Sequence, residues 1–319
     1  MVETAEFISE SISKIRNTTK SGKAIIATSG GVDSTVAAIL CHRAIGKNLT
    51  AIHVDTGLMR KNESEEAVKI LKSFGLNVLL VNAHKKFYDA LKGVAEPEKK
   101  RKIIGELFIR IFEEEAHKIS GVEYLIQGTI APDWIESGGG ARDTIKTHHN
   151  VGGLPKEMGL KLVEPLRDLY KDEVRAVAKA LEIPESISEK QPFPGPGLAV
   201  RILGEVSEDR VKILQEADFI WREEIAKAAN ERKLKLPWQY FAVLLPIRTV
   251  GVQGDVRAYG YTIGLRAVDS FDGMTANFSK IPQELLEKIS SRISNTLKKD
   301  INRVVYDITN KPPSTIEWE

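Results

Sequence analysis

The chain has 319 residues, of which 42% are hydrophobic and 28% charged, as is typical of a globular protein rather than a disordered one. Its 46 basic and 44 acidic side chains leave a formal net charge of +2, and this near-balance argues against a dedicated nucleic-acid-binding protein. The single cysteine, Cys41, excludes an intrachain disulfide framework and favours a reducing compartment.

The N-terminal segment and the apolar stretches both argue against a secreted or membrane protein. Residues 1–20 carry charges every few positions and lack an apolar core of signal-peptide length. No window approaches the ~18 consecutive apolar residues that span a bilayer. We therefore expect a soluble, cytoplasmic protein of two domains, with no membrane or nucleic-acid partner.

The first part of the chain alternates short apolar strands with helices. We predict strands at 23–28, 49–54, 78–81 and 124–127, and helices after the first strand and at 65–74, 97–118 and 171–181. This alternation predicts βαβ units and a parallel sheet. Residues 137–155, rich in Gly, Thr, His and Asn, have no clear period and are predicted to form a mobile loop.

A run of proline and glycine at 192–197 marks a boundary. Three prolines and two glycines in six residues cannot continue a regular element. We therefore predict one domain over residues 1–190 and a second over residues 191–319.

The second domain has a different pattern of apolar and polar residues. Apolar side chains at the odd positions from 259 to 267 alternate with small or polar ones, among them Arg266, and this alternation predicts a half-buried strand. An apolar helix face over 285–297 and a late strand at 303–309 follow. Strands followed by a helix favour a smaller α+β domain.

A glycine-rich loop at 29–35 connects the first strand to its helix. Its adjacent glycines let the backbone approach a ligand, and its hydroxyls, free amides and helix N-terminus suit phosphate oxygens. The Walker lysine is absent, and Asp33 makes sense among phosphate donors mainly if a divalent cation bridges it to the anion. The alternative, a capped helix with a glycine turn, is disfavoured by the position after the first strand of a parallel sheet. The predicted phosphate-binding residues are Ser29, Gly30, Gly31, Val32, Asp33, Ser34 and Thr35.

This loop resembles the pyrophosphatase loop of the ATP-pyrophosphatase family, whose members split ATP between its α- and β-phosphates and adenylate an oxygen. NAD synthetase, argininosuccinate synthetase and tRNA-thiolating enzymes use similar loops, so the loop indicates a reaction class and not a substrate. The resemblance implies an α/β fold. A parallel-sheet ATP-pyrophosphatase (adenine nucleotide alpha hydrolase-like) domain would be joined by a smaller α+β dimerisation domain.

Seven longer strings together resemble GMP synthase over nearly the whole chain. They are residues 54–60, 97–105, 127–137, 146–155, 192–201, 250–255 and 311–319. The resemblance implies a ligase of purine biosynthesis. The O2 atom of XMP would attack the α-phosphorus of ATP, pyrophosphate would leave with Mg²⁺, and ammonia would displace AMP from C2 to give GMP. No tightly bound organic cofactor is implied.

The same resemblance implies several site residues in the first domain. Asp133 and Glu136 lie three apart beyond a strand end and would organise metal-bound ATP, with Asp133 joining Asp33 as a metal ligand. Their alternative is an exposed acidic turn. Val54 and Gly128 would contact ATP.

The loop at 137–155 would act as a lid over this site. By the resemblance, Lys146 reaches the phosphates and is catalytic together with the two acids, while His148 and His149 assist closure. A zinc site on the paired histidines is disfavoured, because no third ligand stands nearby in the sequence.

The residues implied to bind XMP are spread over both domains. Arg101 belongs to a run of four cations at a helix start, where a solvated face is the default and the helix dipole opposes positive charge. The last nine residues would be a frayed tail in most chains, whereas apolar Ile316 and Trp318 favour a docked one. The implied XMP-binding residues are Arg101, Gln253, Lys311, Thr315 and Glu317.

The resemblance also implies partners. The second domain would form a homodimer. Many GMP synthases carry an N-terminal glutaminase with a nucleophilic cysteine, for which the sequence before the loop leaves no room, and Cys41 lies on an apolar helix stripe. We therefore expect the chain to use free ammonia, supplied by a separate glutamine amidotransferase subunit.

Two other interpretations remain open. A tRNA-thiolating adenylyltransferase shares the loop but usually needs further cysteines and a basic RNA-binding face, neither of which is evident. A nucleotide-sensing module could keep the loop and lose turnover, although the retained acids Asp33, Asp133 and Glu136, together with Lys146, argue against it.

Overall fold

The computed structural model describes residues 3–136, 159–253 and 255–319. The chain divides into two compact units, the first comprising Met1–Thr56, Asn62–His84 and Ile104–Lys190, and the second comprising Gly57–Lys61, Lys85–Ile103 and Gln191–Glu319. The segments 57–61 and 85–103 thus group with the second unit although they precede residue 190. The assignment of a separate role to each predicted domain stays a prediction.

The strands and helices are numbered in chain order. The strands are β1 (Lys23–Ala27), β2 (Leu49–Asp55), β3 (Asn77–Asn82), β4 (Val122–Ile126), β5 (Lys161–Val163), β6 (Gln239–Gln253), β7 (Val256–Asp269), β8 (Asn277–Phe278) and β9 (Ile301–Tyr306). The α-helices are α1 (Thr4–Thr19), α2 (Val32–Ile45), α3 (Glu63–Ser73), α4 (His84–Leu91), α5 (Pro97–His117), α6 (Ala131–Glu136), α7 (Lys171–Ala180), α8 (Glu185–Ser188), α9 (Glu208–Asn230) and α10 (Gln283–Thr296). The predicted loop at 137–155 lies outside the described residues.

The first unit contains a five-stranded sheet in the order β3-β2-β1-β4-β5. Every pairing in it is parallel, so the predicted parallel sheet is confirmed. Parallel strands need crossover connections, and the alternating helices supply them. The chain runs outward from β1 through β2 to β3 and then continues on the other side of β1 with β4. This reversal creates a topological switch point between β1 and β4.

The core of the first unit explains why its elements form. Helix α2 is buried on nearly all sides from Val36 to Cys41, as expected of a helix that is apolar all round. It packs against α1, α7 and the sheet. Each fully buried Ile or Leu side chain contributes roughly 1.5–3 kcal/mol, so this layer holds the end of β1 rigidly. Helix α1, which adds Ile15 to the core, is not among the helices predicted from the sequence.

The second unit is built on an antiparallel ribbon of β6 and β7. Strand β9 adds to β7 in parallel, and β8 pairs with the end of β7. Its core includes Phe241 and Val243 of β6, Val268 of β7 and Ile316 near the C-terminus. The unit therefore has the predicted α+β character.

The predicted half-buried character of β7 is wrong over residues 262–268, all of which are buried. The physical reason is that β7 is a central strand, with β6 on one side and β9 on the other. Arg266, expected among the solvent-facing positions, has a side chain with 0% exposure and donates hydrogen bonds to the carbonyl oxygens of Thr309 and Thr315. The segment that contains Thr309 and Thr315 therefore covers the face of β7 that the alternation predicted to be exposed to solvent.

Within the described part of the chain, none of the helices combines the length and the apolar character needed to cross a membrane.

Candidate active site

The glycine-rich loop lies at the topological switch point of the first unit. Residues 29–31 connect β1 to α2, and Gly128 follows β4, the neighbour of β1. In open parallel sheets, ligands bind outside the carboxyl ends of the strands at this kind of reversal. The fold therefore puts the loop where a ligand site is expected.

The loop is held open by its own hydrogen bonds. Gly30 has a φ of +72°, a conformation that residues with a Cβ resist. The Ser29 and Ser34 hydroxyl oxygens lie 3.3 Å apart, and the Thr35 hydroxyl donates to the Gly31 carbonyl oxygen at 2.8 Å. These contacts keep several hydroxyls at one helix N-terminus, a ready-made anion site.

Gly128 allows the end of β4 to approach the loop. A Cβ placed on Gly128 would lie 3.0 Å from the backbone nitrogen of Ser34 and 3.0 Å from the carbonyl carbon of Asp33. Such distances are tighter than most Cβ contacts, so a side chain here would require β4 and the loop to move apart by a few tenths of an ångström. The structure thus brings Gly128, Asp33 and Ser34 together, as the resemblance implied for residues of one site.

Asp33 carries the loop's negative charge and one unsatisfied oxygen. Its Oδ2 accepts from Lys171 at 2.5 Å, whereas Oδ1 is buried and has no hydrogen-bond partner among the described residues. A buried carboxylate oxygen without a partner is costly unless a ligand or ion completes it. Asp33 therefore fits a cation ligand.

The donors suit a divalent cation that arrives with its anion. No group of three or more His, Cys, Asp or Glu side chains in the described segments could hold a metal ion. Mg²⁺ is commonly bound by one or two carboxylates together with substrate phosphates. Asp133, the other predicted metal ligand, accepts a hydrogen bond from the Ile130 amide at 3.1 Å, so its carboxylate also stabilises the start of α6.

Two lysines that the sequence analysis did not single out flank the loop. Lys171 is the first residue of α7, and Lys190 donates to the Gly30 carbonyl oxygen at 3.0 Å while forming an ion pair with Glu63. The Walker lysine is missing from the loop itself, and these two residues supply positive charge from 138 and 160 positions away. No local pattern in the sequence could have identified them.

The other predicted residues of the first unit are less completely described. Val54 lies near the end of β2 with 4% exposure, so any contact it makes with a ligand would come from its main chain. Glu136 is the last residue of α6, and its side chain lies outside what the structure describes. The predicted lid residues Lys146, His148 and His149 also lie outside the described residues.

The predicted XMP-binding residues all belong to the second unit. Arg101 pairs with Glu98 at 3.0 Å, and Lys311 donates to the Gly273 carbonyl oxygen at 2.8 Å. The Thr315 hydroxyl donates to the main-chain oxygen of Glu317 at 2.5 Å. Gln253 ends β6, and its side chain is outside the described part. Among the predicted XMP-binding residues whose side chains are described, only Thr315 and Glu317 contact each other directly.

Glu317 itself is held by side chains that the sequence analysis missed. Arg201 donates to both carboxylate oxygens, at 3.0 and 2.7 Å, and Gln239 donates to Oε1 at 3.0 Å. The predicted docked tail is therefore present in the structure, with Ile316 buried. Its role in ligand binding stays a prediction.

Cys41 lies in the core, as its helix position predicted, and is therefore expected to be inert. Its side chain is buried in the core of the first unit, and burial raises the pKa of the thiol far above its ordinary value. Because only the thiolate is a nucleophile, we expect iodoacetamide to leave the folded chain unlabelled near neutral pH and to label it after unfolding. Mass spectrometry of both samples checks this, and rapid labelling of the folded chain would contradict it.

Two family models match different parts of the chain. Residues 223–318 match the model of the GMP synthase C terminal domain, and residues 2–129 match that of NAD synthase. The glutamine-hydrolyzing GMP synthases of Caldicellulosiruptor saccharolyticus and Clostridium tetani are 56% and 57% identical over 99% and 98% of this chain. The chain covers 62% and 61% of their length, so it spans about three fifths of the curated relatives it matches.

Two solved structures are also similar to this chain. The NH3-dependent NAD synthetase from Campylobacter jejuni has a TM-score of 0.46 at 17% identity, over 73% of this chain and 86% of that one. The NMN synthetase from Francisella tularensis has a TM-score of 0.48 at 16% identity, over 68% of this chain and 84% of that one.

Proposed function

We propose that this chain, which is 56% and 57% identical to two glutamine-hydrolyzing GMP synthases, acts as they do and converts XMP to GMP at the site of the glycine-rich loop. In the first step the O2 atom of XMP attacks the α-phosphorus of ATP, and the bond to the bridging oxygen breaks to release pyrophosphate. In the second step ammonia attacks C2, and AMP leaves with the former O2 oxygen. An amide-type oxygen is a poor leaving group, which is the chemical reason for adenylating it first.

The observation that carries this proposal is the electrostatics of the loop. Asp33 has a buried oxygen without a partner among the residues that the structure describes, and the cations Lys171 and Lys190 contact Asp33 and the Gly30 carbonyl oxygen of the hydroxyl-rich turn. A departing pyrophosphate carries several negative charges and needs fixed donors and cations. The loop hydroxyls, the amides of α2 and Lys171 would bind it.

Mg²⁺ bound with the nucleotide would supply positive charge that neutralises the departing pyrophosphate. Asp33 is the residue of this chain that would hold the ion, with Asp133 as the second proposed ligand. The remaining work belongs to the protein, which must position ATP and XMP and exclude water from the adenylated intermediate. We assign that last task to the lid loop, in which His148 and His149 would assist closure while the catalytic Lys146 would reach the phosphates.

Ammonia would reach this site from outside the 319 residues. Cys41 is the only cysteine, and it is buried, so these residues offer no thiol that could hydrolyse glutamine. We propose that glutamine hydrolysis takes place in a separate glutamine amidotransferase polypeptide. Adding candidate glutaminases to the chain tests this point, since one of them should make glutamine as effective a nitrogen source as ammonium.

One assay separates this proposal from its rivals. The chain is incubated with ATP, Mg²⁺ and ammonium, with XMP or tRNA present or absent, while pyrophosphate, AMP and GMP are quantified. We expect equal amounts of all three products, and only when XMP is present. Pyrophosphate release that requires tRNA would favour the thiolating enzyme, and nucleotide binding without any release would favour the sensing module.

The β6–β7 ribbon is the surface that we propose for homodimer formation. Four apolar side chains near its end are exposed, Val250 by 47%, Val252 by 77%, Val256 by 67% and Tyr259 by 55%. Strand β6 is also an edge strand of the sheet, and unpaired edges invite pairing with another chain. A second copy of the ribbon would cover both features.

The prediction is that Val252→Asp combined with Val256→Asp gives a monomer. Two buried carboxylates would oppose association, because each would lose its hydration without gaining a partner. Light scattering after size-exclusion chromatography should show a mass of 35.4 kDa for the variant and twice that for the wild type. Phe271→Asp, which changes another exposed apolar residue, is the control and should remain dimeric. A dimeric double variant would overturn the assignment of this surface.

A further inference from the structure

The C-terminal segment is anchored by cations that have no access to solvent. The side chains of Lys100, Arg201 and Arg266 are all 0% exposed, and each contacts residues between 307 and 319. We propose that these three cations form a preformed clamp and that Arg201 is the positioning residue for the XMP-binding carboxylate of Glu317. This inference rests on the proposed function, because it assumes that Glu317 contacts XMP.

Arg201 fixes the Glu317 carboxylate in both position and plane. Its Nε and Nη2 atoms reach the two carboxylate oxygens at 3.0 and 2.7 Å, the two-pronged geometry in which guanidinium and carboxylate match best. The guanidinium carbon also lies 4.0 Å from the centre of the Phe241 ring and 5.2 Å from that of Phe193. These rings leave Arg201 little freedom, so it acts as a rigid holder.

Glu317 keeps the capacity to bind a further donor. A carboxylate offers about four lone-pair sites, of which Arg201 occupies two and Gln239 a third. The Glu317 side chain remains 24% exposed. A ligand with an N–H or O–H group can therefore approach a carboxylate whose orientation is already set.

Arg266 holds the segment immediately before Glu317. It donates to the main-chain oxygens of Thr309 and Thr315 and to the Ser314 hydroxyl, and it pairs with Asp307 at 3.2 Å. The two terminal nitrogens of this buried arginine find these acceptors only when the tail lies over it. The tail and the strand below it therefore support each other.

Lys100 holds the end of the tail. Its ammonium donates to the Ala199 and Ile202 carbonyl oxygens at 3.1 and 2.7 Å and to the Glu319 carboxylate at 2.6 Å. These two carbonyl acceptors flank Arg201 in the sequence. The segment 199–202 therefore contains Arg201, which holds Glu317, and also accepts hydrogen bonds from Lys100, which holds Glu319. Of the four cations at 99–102, Lys100 thus has a structural role. The sequence of four consecutive cations does not show which of them is buried.

The clamp is tested with Arg201→Lys in the full chain. Lysine keeps the charge but cannot contact both oxygens of Glu317. We expect the KM for XMP to rise by about tenfold or more, with kcat and the KM for ATP changed by less than about twofold. Arg232→Lys, an exposed position of the same unit, is the matched control and should match the wild type. An unchanged KM for XMP in a folded Arg201→Lys variant would overturn the positioning role.

A second measurement keeps the test decisive if Arg201→Lys does not fold. Glu319→Gln changes only the tail, and it replaces the carboxylate that accepts from Lys100 by a neutral amide oxygen. Hydrogen exchange of peptides covering 310–319, followed by mass spectrometry, should be faster in this variant than in the wild type. Equal exchange in the two would sink the clamp.

The same exchange measurement separates the clamp from the proposed function. If variants loosen the tail but the wild type neither turns over XMP nor shows slower tail exchange when XMP is added, then the clamp stands and the assignment of XMP fails. If XMP is turned over and slows tail exchange in the wild type, while Arg201→Lys and Glu319→Gln leave both effects unchanged, then the proposed function stands and the clamp fails.

Discussion

Replacing Asp33 by asparagine is expected to reduce kcat for XMP-dependent ATP cleavage by roughly 10²–10³-fold, the loss seen when one preorganised electrostatic contact is removed. Asparagine has nearly the same shape, but it lacks the charge that a hard divalent cation requires. The Oδ1 atom of Asp33, which has no partner within the described part of the chain, is the atom that would face the cation. The loss should therefore appear in the chemical step rather than in folding.

The stability of the Asp33→Asn variant should change little. The ion pair with Lys171 is 27% exposed on the aspartate side and 46% on the lysine side, and solvent-screened pairs contribute roughly 0–1 kcal/mol. The favourable interaction of Asp33 with the start of α2 adds about 0.3–1 kcal/mol. Urea unfolding should accordingly show a decrease of no more than about 2 kcal/mol.

Asp172→Asn serves as the control for this experiment. Asp172 is an exposed acid in the first turn of α7, directly after Lys171. This variant should keep kcat within about twofold of the wild type. An Asp33→Asn variant that retained most of its activity at saturating Mg²⁺ would remove the carboxylate from the mechanism.

Lys171→Met is expected to lower kcat/KM for ATP by roughly 10–150-fold. Hydrogen bonds to charged groups contribute about 1.5–3 kcal/mol, and each 1.36 kcal/mol corresponds to tenfold in rate. Methionine preserves the length and apolar stem of lysine but removes the ammonium that reaches Asp33 at 2.5 Å. Lys171→Arg should recover part of the loss, since it restores the charge.

The matched control lies on the same helix. Lys179 is 62% exposed and pairs with Glu189 at 2.8 Å, so Lys179→Met removes a comparable surface charge away from the loop. It should behave as the wild type in pyrophosphate release. If Lys171→Met and Lys179→Met were indistinguishable, Lys171 would serve only to pair with Asp33. Combining Asp33→Asn with Lys171→Met would add a further check, because contacting residues that act together give non-additive losses.

Much of the first unit could be predicted because its signals are local. The apolar run of β1, the glycine turn and the apolar helix that follows all lie within 23 consecutive residues, from Lys23 to Ile45. Strands β2, β3 and β4 also repeat the βαβ rhythm. Each of these patterns depends on near neighbours, so the parallel sheet and the position of the glycine-rich loop followed from the residues alone.

The surroundings of the loop could not be predicted in the same way. Lys171 and Lys190 approach it from 138 and 160 positions away, and exposed lysines are too common for one to be chosen by inspection. In the second unit the same limit explains the error at Arg266. Alternation reports which side of a strand is polar, but it does not report that a distant segment covers that side.

The sequence by itself determined the chemical groups of this protein: a hydroxyl- and glycine-rich loop with one carboxylate, an inert cysteine, and a tail that carries two acids. The tertiary structure decided how those groups are completed. Strand order set β4 beside β1 and so brought Gly128 against Asp33, and buried cations selected Glu317 and Glu319 as their partners. The physical reason is that strand neighbours and buried ion pairs depend on which distant surfaces can be desolvated together. The local sequence around each residue does not indicate which distant surface it will pack against.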